Sequence, residues 1–225
     1  MLLNGDHLSV PEFERRYEAM QDDARAELIE GIVVMSPGIK SGPVTMDHGK
    51  AHSLMNCLLG HYAVATPGVS CAVGASLRLD GCNEYQPDVL LWIEQNHLDG
   101  VKADPVGILE GRPELVMEVA LSGRAFDLHE KKAVLQRNQI PEYIVWEMLD
   151  EPRFHWFALE DGEYASLQAR RDSVVCSRVF PGLWLDFASL VVGQGSDKEI
   201  FRALNKGLKS AEHKAFVKKL AASSR

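Results

Sequence analysis

Apolar and polar residues follow two different periods along the chain, and they predict alternating helices and strands. Helical spacing predicts helices over residues 9–19, 47–64, 126–138 and 197–222. Alternation with a period of two, or a short continuous apolar run, predicts strands over residues 28–35, 69–79, 87–93, 113–121, 142–149, 154–159, 164–167 and 174–180. One more short helix is predicted from Asp186 to Val192.

The strand predicted at 113–121 is almost continuously apolar, which is typical of a strand near the centre of a sheet. The helix at 126–138 joins it to the strand at 142–149, and if these strands are parallel the connection is a right-handed crossover. The order of helices and strands predicts an α/β or α+β fold, in which one central mixed β-sheet is flanked by helices.

The end of the chain has a different composition from the rest. Residues 193–196 read as a linker between a domain over 1–192 and a basic amphipathic helix over 197–225. This last segment carries eight Lys/Arg against three Asp/Glu, so its charge is +5. Since the whole chain has a net charge of −8, residues 1–196 have a net charge of about −13. The segment either contacts a nucleic-acid backbone or packs through its apolar stripe, and we favour packing because that stripe needs cover.

Composition removes several classes of protein. A chain of 225 residues with a net charge of −8 is not a basic nucleic-acid coat protein, although an enzyme that gathers acids around a metal need not be basic. Neither a transmembrane run nor a secretory signal is found, so we expect a cytoplasmic protein without a membrane segment. The cysteines show neither a CxxC pair nor zinc-binding spacing; they are Cys57, Cys71, Cys82 and Cys176.

Two acids in apolar runs and one lysine are the strongest candidates for chemistry. Asp88 and Glu118 lie in predicted strands that are too apolar to hold an unpaired acid without cost. Lys131 follows Asp127 by four residues, so the two share one helix face. Carboxylates on neighbouring strands can hold a hard cation such as Mg²⁺. The alternative is that the acids are exposed or paired with lysines, and that Lys131 forms a solvated salt bridge.

Other signals are weaker. His48 and His52 have a spacing that zinc can use, but Gly49 stands where a zinc hydrolase needs a glutamate. The sequence contains neither GxxxxGK[ST] nor GxGxxG, so it offers no nucleotide-binding loop.

In their order and spacing, six pieces of residues 10–192 resemble the PD-(D/E)xK nuclease superfamily. They resemble most closely a bacterial restriction-endonuclease-like branch, most of whose members lack a demonstrated substrate. The pieces are AELIEGIVVMSP (26–37), DHG (47–49), YQPDVLLW (85–92), PELVMEVALSGRAFDLHEKK (113–132), IPEYIVW (140–146) and FPGLWLD (180–186). The resemblance implies a restriction-endonuclease-like sheet and a metal-dependent endonuclease that hydrolyses DNA phosphodiester bonds.

The resemblance also implies roles for individual residues. Asp88 and Glu118 would hold Mg²⁺, for which Mn²⁺ is a substitute. Lys131 would be the catalytic lysine and Asp127 the acid that precedes it in the branch's D-x-x-x-K signature.

Two further residues match typical positions of the branch. Glu27 is either a third carboxylate of the site or a surface strand acid, and His48 either contacts phosphate or only supports the structure.

The chain departs from the superfamily at one important position. The usual lysine stands two residues after the second acid, and here that residue is Ala120. Two readings therefore stay open: a DNA-cutting enzyme that uses Lys131, and a catalytically silent nuclease-fold protein that binds nucleic acid or a protein partner. A homodimer is plausible for the enzyme because two sites can cut the two strands of a duplex.

Overall fold

The computed structural model describes residues 1–20, 25–35, 46–94, 100–120, 126–148, 152–192 and 197–223. The helices are α1 (Val10–Glu18), α2 (Met46–Val64), α3 (Lys132–Arg137), α4 (Phe187–Val192), α5 (Asp197–Gly207) and α6 (Ala211–Ser223). The strands are β1 (Ala26–Ile29), β2 (Ile32–Met35), β3 (Val69–Val73), β4 (Leu77–Asp80), β5 (Asn83–Tyr85), β6 (Val89–Ile93), β7 (Lys102–Ala103), β8 (Leu109–Glu110), β9 (Leu115–Ala120), β10 (Glu142–Glu147), β11 (Arg153–Glu160), β12 (Glu163–Ser166), β13 (Val174–Cys176) and β14 (Trp184–Asp186).

The mixed α/β class is confirmed, but the single central sheet is wrong. One six-stranded sheet has the order β12-β11-β10-β9-β6-β3, a second has the order β2-β1-β5-β4-β8-β7, and β13 pairs with β14. The strand predicted at 69–79 breaks after Val73 at Gly74, whose φ of +59° suits glycine. The break sends β3 into one sheet and β4 into the other.

Strands β9 and β10 lie side by side and parallel, as the crossover prediction requires. Side chains alternate across β9: Leu115, Met117 and Val119 enter the core shared with α2, whereas Val116 and Ala120 enter the core shared with α3. Because side chains alternate along a strand, Glu118 lies on the α3 side, between the two sheets.

The helix predicted at 126–138 has two parts. Its first turn, Phe126–Lys131, is π-helical and leads directly into α3. The hydroxyl of Tyr143 on β10 donates a hydrogen bond of 3.1 Å to the backbone carbonyl of Asp127 and so ties this turn to the sheet. Wide turns of this kind are frequent at functional sites.

The helix predicted at 197–222 is also divided, into α5 and α6. Helix α5 ends at Gly207, where no side chain fits because a Cβ would lie 2.2 Å from the backbone oxygen of Gly182. The apolar stripe packs on the domain as favoured, with Ile200, Leu204 and Leu220 buried. The predicted linker 193–196 lies outside the described residues. Across the described helices, none is long and apolar enough to cross a bilayer.

Candidate active site

Lys131 lies at the centre of a cluster of carboxylates that come from three parts of the fold. Its Nζ is 3.1 Å from Glu118 Oε1 on β9 and 3.1 Å from Glu27 Oε2 on β1 of the second sheet. The third carboxylate, Asp127, is one turn before the lysine, and its Oδ1 is 3.6 Å from the same nitrogen. The structure therefore brings together four of the residues that the sequence singled out, at the junction of two sheets and a helix.

Asp88 adjoins this cluster from the strand next to Glu118. It immediately precedes β6, which pairs antiparallel with β9. Its Oδ2 accepts a hydrogen bond of 2.7 Å from the backbone N–H of Val119, the residue after Glu118. The two predicted metal ligands are thus neighbours across the strand pair.

His52 on α2 is a member of the site that the sequence reasoning missed. Its Nε2 is 3.2 Å from Asp88 Oδ1, and its Nδ1 is 3.2 Å from the side-chain nitrogen of Asn56. Because an amide nitrogen only donates, Nδ1 accepts and Nε2 carries the proton that faces Asp88. This hydrogen bond to Asp88 raises the pKa of His52 above its ordinary value.

The acids of the site differ in their protonation. Burial raises the pKa of Glu118 well above its ordinary value, and the nearby carboxylates add to this against the opposing charge of Lys131. Burial also raises the pKa of Asp127. Burial acts on Asp88 in the same direction, but hydrogen bonds from His52 and from the Val119 N–H outweigh it and lower the pKa of that carboxyl. Asp88 therefore ionises before Glu118 and Asp127.

The charge of Lys131 is fixed by its surroundings. Burial alone lowers the pKa of its ammonium group, but the charges of Glu118, Glu27 and Asp127 outweigh burial and raise that pKa above its ordinary value. The rings of Tyr85 and Phe126 also face the ammonium, with centroids 5.2 Å and 5.8 Å from Nζ. Lys131 therefore stays protonated and can donate hydrogen bonds, but it cannot act as a general base.

The residues present fit a hard divalent cation held by a pair of carboxylates. Three carboxyl groups contact the Lys131 ammonium and that of Asp88 adjoins them, and their oxygens are the donor atoms that Mg²⁺ prefers. Throughout the part of the chain that the structure describes, no three His, Cys, Asp or Glu side chains are grouped to hold a metal. Mg²⁺ is commonly bound by one or two carboxylates completed by water and phosphate, which is what Asp88 and Glu118 offer.

Two other predicted features have different outcomes. Ala120 is buried at the end of β9, and the cation that contacts the carboxylates comes instead from the following helix, at Lys131. His48 lies in the first turn of α2, but its side chain is outside the described part of the chain.

Comparison with known proteins identifies the chain's relatives. A family model, Uma2, described as "Putative restriction endonuclease", matches residues 10–188, which is most of the chain and ends before α5 and α6. No curated protein matches the chain.

A solved structure shares the fold. The chain is similar to the crystal structure of a "putative nuclease belonging to DUF820" from Anabaena variabilis, with a TM-score of 0.55 and 13% identity. The similarity covers 88% of this chain and 99% of that one. At this identity the likeness establishes the fold alone, but the family match spans more than half of the sequence. The chain belongs to the Uma2 family of restriction-endonuclease-related proteins.

Proposed function

We propose that this protein is a divalent-metal-dependent endonuclease that hydrolyses phosphodiester bonds in DNA. The observation that carries the proposal is the buried ammonium of Lys131, held 3.1 Å from Glu118 beside the carboxylate of Asp88. A fixed positive charge next to paired carboxylates suits a reaction in which a phosphate gains negative charge. The family match and the restriction-endonuclease-like resemblance support the same reaction class.

Asp88 and Glu118 are the residues that would hold Mg²⁺ or Mn²⁺. When bound there, the ion would act as a Lewis acid toward the phosphate and would lower the pKa of a bound water. Asp88 is suited to this task because its lowered pKa keeps it ionised. Glu118 binds a cation in competition with protons because its pKa is raised by burial.

Lys131 would orient the attacking water and stabilise the charge that develops on the phosphate. Its raised pKa keeps it an ammonium throughout, so it acts as a donor and not as a proton acceptor. Glu27 and Asp127 position it, and Glu27 is itself fixed by a hydrogen bond of 3.2 Å from the backbone N–H of Gln86. This arrangement holds the ammonium toward the strand ends before substrate arrives.

One observation favours the alternative of a catalytically silent nucleic-acid-binding protein. The ammonium of Lys131 stands between Glu27 and Glu118, where it already neutralises the carboxylates that would otherwise hold a cation. In that alternative the cluster is a buried ion network that stabilises the junction of the two sheets. Metal binding and cutting separate the two functions.

The test is cleavage of supercoiled plasmid and of single-stranded DNA with Mg²⁺ or Mn²⁺, comparing Lys131→Met with Lys132→Met. Both variants remove one lysine charge from adjacent positions. Lys132 points elsewhere, with its Nζ 3.7 Å from the centre of the Phe157 ring, so it is the matched control. We expect metal-dependent cutting by the wild type and by Lys132→Met, and a loss of about 100-fold or more in Lys131→Met.

The result that overturns the proposal is a folded wild type that neither cuts DNA nor binds Mn²⁺. Equal activity of the two variants would remove Lys131 from the mechanism. Circular dichroism of each variant checks that a loss of cutting does not come from unfolding, since Lys131 is buried and pairs with Glu27 and Glu118.

A further inference from the structure

Helices α5 and α6 form a C-terminal hairpin, residues 197–223, whose outward surface is strongly basic. Among the side chains of this segment that the structure describes, the exposed acids are Glu199 and Glu212. The exposed basic side chains of the hairpin are Lys198, Arg202, Lys206, Lys209, Lys214, Lys218 and Lys219. This surface contrasts with residues 1–196, whose net charge is about −13 in a protein whose total net charge is −8.

The cations of α5 are grouped by the helical repeat. Lys198, Arg202 and Lys206 are spaced by four residues, so they follow one another along a single face. Ile200 and Leu204 are buried on the opposite side, against the domain. The apolar stripe is therefore used in packing, and the basic face is turned outward along the length of the helix.

The hairpin is fixed to α2, the helix that also carries His52. His61 Nε2 is 3.3 Å from Asn205 Oδ1, and the buried His213 on α6 places its Nε2 2.9 Å from Thr66 Oγ1 just after α2. The hairpin therefore packs on the α2 side of the sheet that contains β9.

The chemistry of the hairpin surface favours a phosphate backbone over a lipid surface. Insertion into a bilayer needs an exposed apolar face. Among the large apolar residues of the hairpin, Ile200, Leu204 and Leu220 are buried, and Phe201, Leu208 and Phe216 are partly buried against the same core. A row of exposed cations without that face is the usual means of contacting phosphates without reading sequence.

We propose that the C-terminal hairpin binds the phosphate backbone of nucleic acid through its exposed cations. The inference rests on the proposed function, because the nucleic acid is the same substrate. A basic extension explains how a protein with an acidic body retains a polyanion. The anchoring is independent of sequence, so it adds affinity and leaves the choice of target to the domain.

The test measures binding of the full-length protein to a fluorescent DNA duplex in EDTA, over a range of salt concentrations. The variant is Arg202→Gln/Lys206→Gln, and the control is Arg15→Gln/Lys102→Gln, which removes two exposed cations from outside the hairpin. With each cation neutralising one phosphate, the slope of log K against log salt falls by about 1.8 in the variant. We expect its affinity at 0.1 M salt to fall at least about tenfold, with the control unchanged.

Three outcomes would overturn the inference: no binding of DNA by the wild type, equal binding by variant and control, or tighter binding to vesicles of anionic phospholipid than to DNA. The measurement is made without divalent metal, so it does not depend on cutting. If the protein binds DNA through the hairpin but neither cleaves DNA nor binds Mn²⁺, the endonuclease proposal fails and the anchoring surface stands.

Discussion

Two buried glutamates lie on neighbouring strands, Glu118 on β9 and Glu142 on β10. Their hydrogen-bond donors differ, and this difference separates a structural role from a catalytic one. Glu142 accepts hydrogen bonds from Trp156 Nε1 at 3.1 Å, Ser177 Oγ at 2.8 Å and the Arg178 N–H at 2.6 Å. Glu118 instead accepts a hydrogen bond of 3.1 Å from the Lys131 ammonium, which it shares with Glu27.

Burial raises the pKa of both glutamates, so burial does not separate them. Neutral donors surround Glu142, and their hydrogen bonds connect the segment that follows β13 to β10. Glu142 therefore has a structural role. Glu118 depends on one shared cation and lies among other carboxylates, so its charge is poorly compensated. A carboxyl group whose pKa is shifted by burial and by neighbouring like charges is typical of functional sites.

The largest expected effect comes from Glu118→Gln, which keeps the shape and removes the charge. We expect metal-dependent cutting to fall by about 100- to 1000-fold, because one of two carboxylates for the metal is lost. Folding stability should not fall, since the raised pKa of Glu118 means that its ionised form is costly to bury. Plasmid cleavage and urea unfolding measure the two effects. Full activity in this variant would show that Glu118 is not part of the site.

Glu142→Ala should produce the opposite pattern. It leaves the donors of Trp156, Ser177 and the following backbone without an acceptor, which costs about 3 kcal/mol of unfolding free energy. For a chain of this size that lowers Tm by about 6–12 °C. Cleavage per folded molecule should not change. Glu142→Gln keeps one acceptor oxygen and should lose less stability; an equal loss would mean that the hydrogen bonds are not what Glu142 supplies.

The sequence predicted more of the site than of the sheets around it. Asp88 and Glu118 are identifiable because a charged residue in an apolar run is costly and needs a partner. Lys131 is identifiable by its spacing from Asp127 and by the resemblance to the nuclease superfamily. The sequence leaves open whether Glu27 belongs to the site, because its contact with Lys131 spans 104 positions and depends on how the two sheets meet. Local patterns report the cost of burying a charge, but they do not report which distant group compensates it.

The remaining differences have the same origin. The second sheet was missed because a single glycine, Gly74, divides a strand whose alternation continues through the break. His52 and Glu142 were missed because their partners come from other elements: Asp88 for the histidine and the segment after β13 for the glutamate. Tertiary contacts of this kind leave no period in the sequence.

Competition between protons and a metal ion should distinguish Glu118 from Asp88. The folded pKa of Glu118 is raised, so this group favours folding while protonated, and that contribution is lost as pH rises through the raised pKa. Asp88 has a lowered pKa, so its contribution is present above its ordinary pKa and is lost as pH falls through the lowered value. Because a cation must displace protons from Glu118, Mn²⁺ affinity should rise with pH until Glu118 is ionised.

Titration calorimetry with Mn²⁺ in buffers of different ionisation enthalpy measures both the affinity and the protons released. In Glu118→Gln the pH dependence should become much shallower. Affinity that is independent of pH in the wild type would contradict the raised pKa of Glu118 as the source of the competition.

The smallest expected effect is on Asp88 through His52. The hydrogen bond from His52 orients the Asp88 carboxylate and lowers its pKa, so His52→Ala should weaken Mn²⁺ binding about tenfold. His61→Ala is the matched control, because it removes a histidine from the other end of α2 that contacts Asn205 on the hairpin. Equal affinities in the two variants would make His52 a structural contact. A selective loss, partly restored by His52→Gln as a neutral donor, would extend the site from strand-borne carboxylates to the helix that carries the C-terminal hairpin.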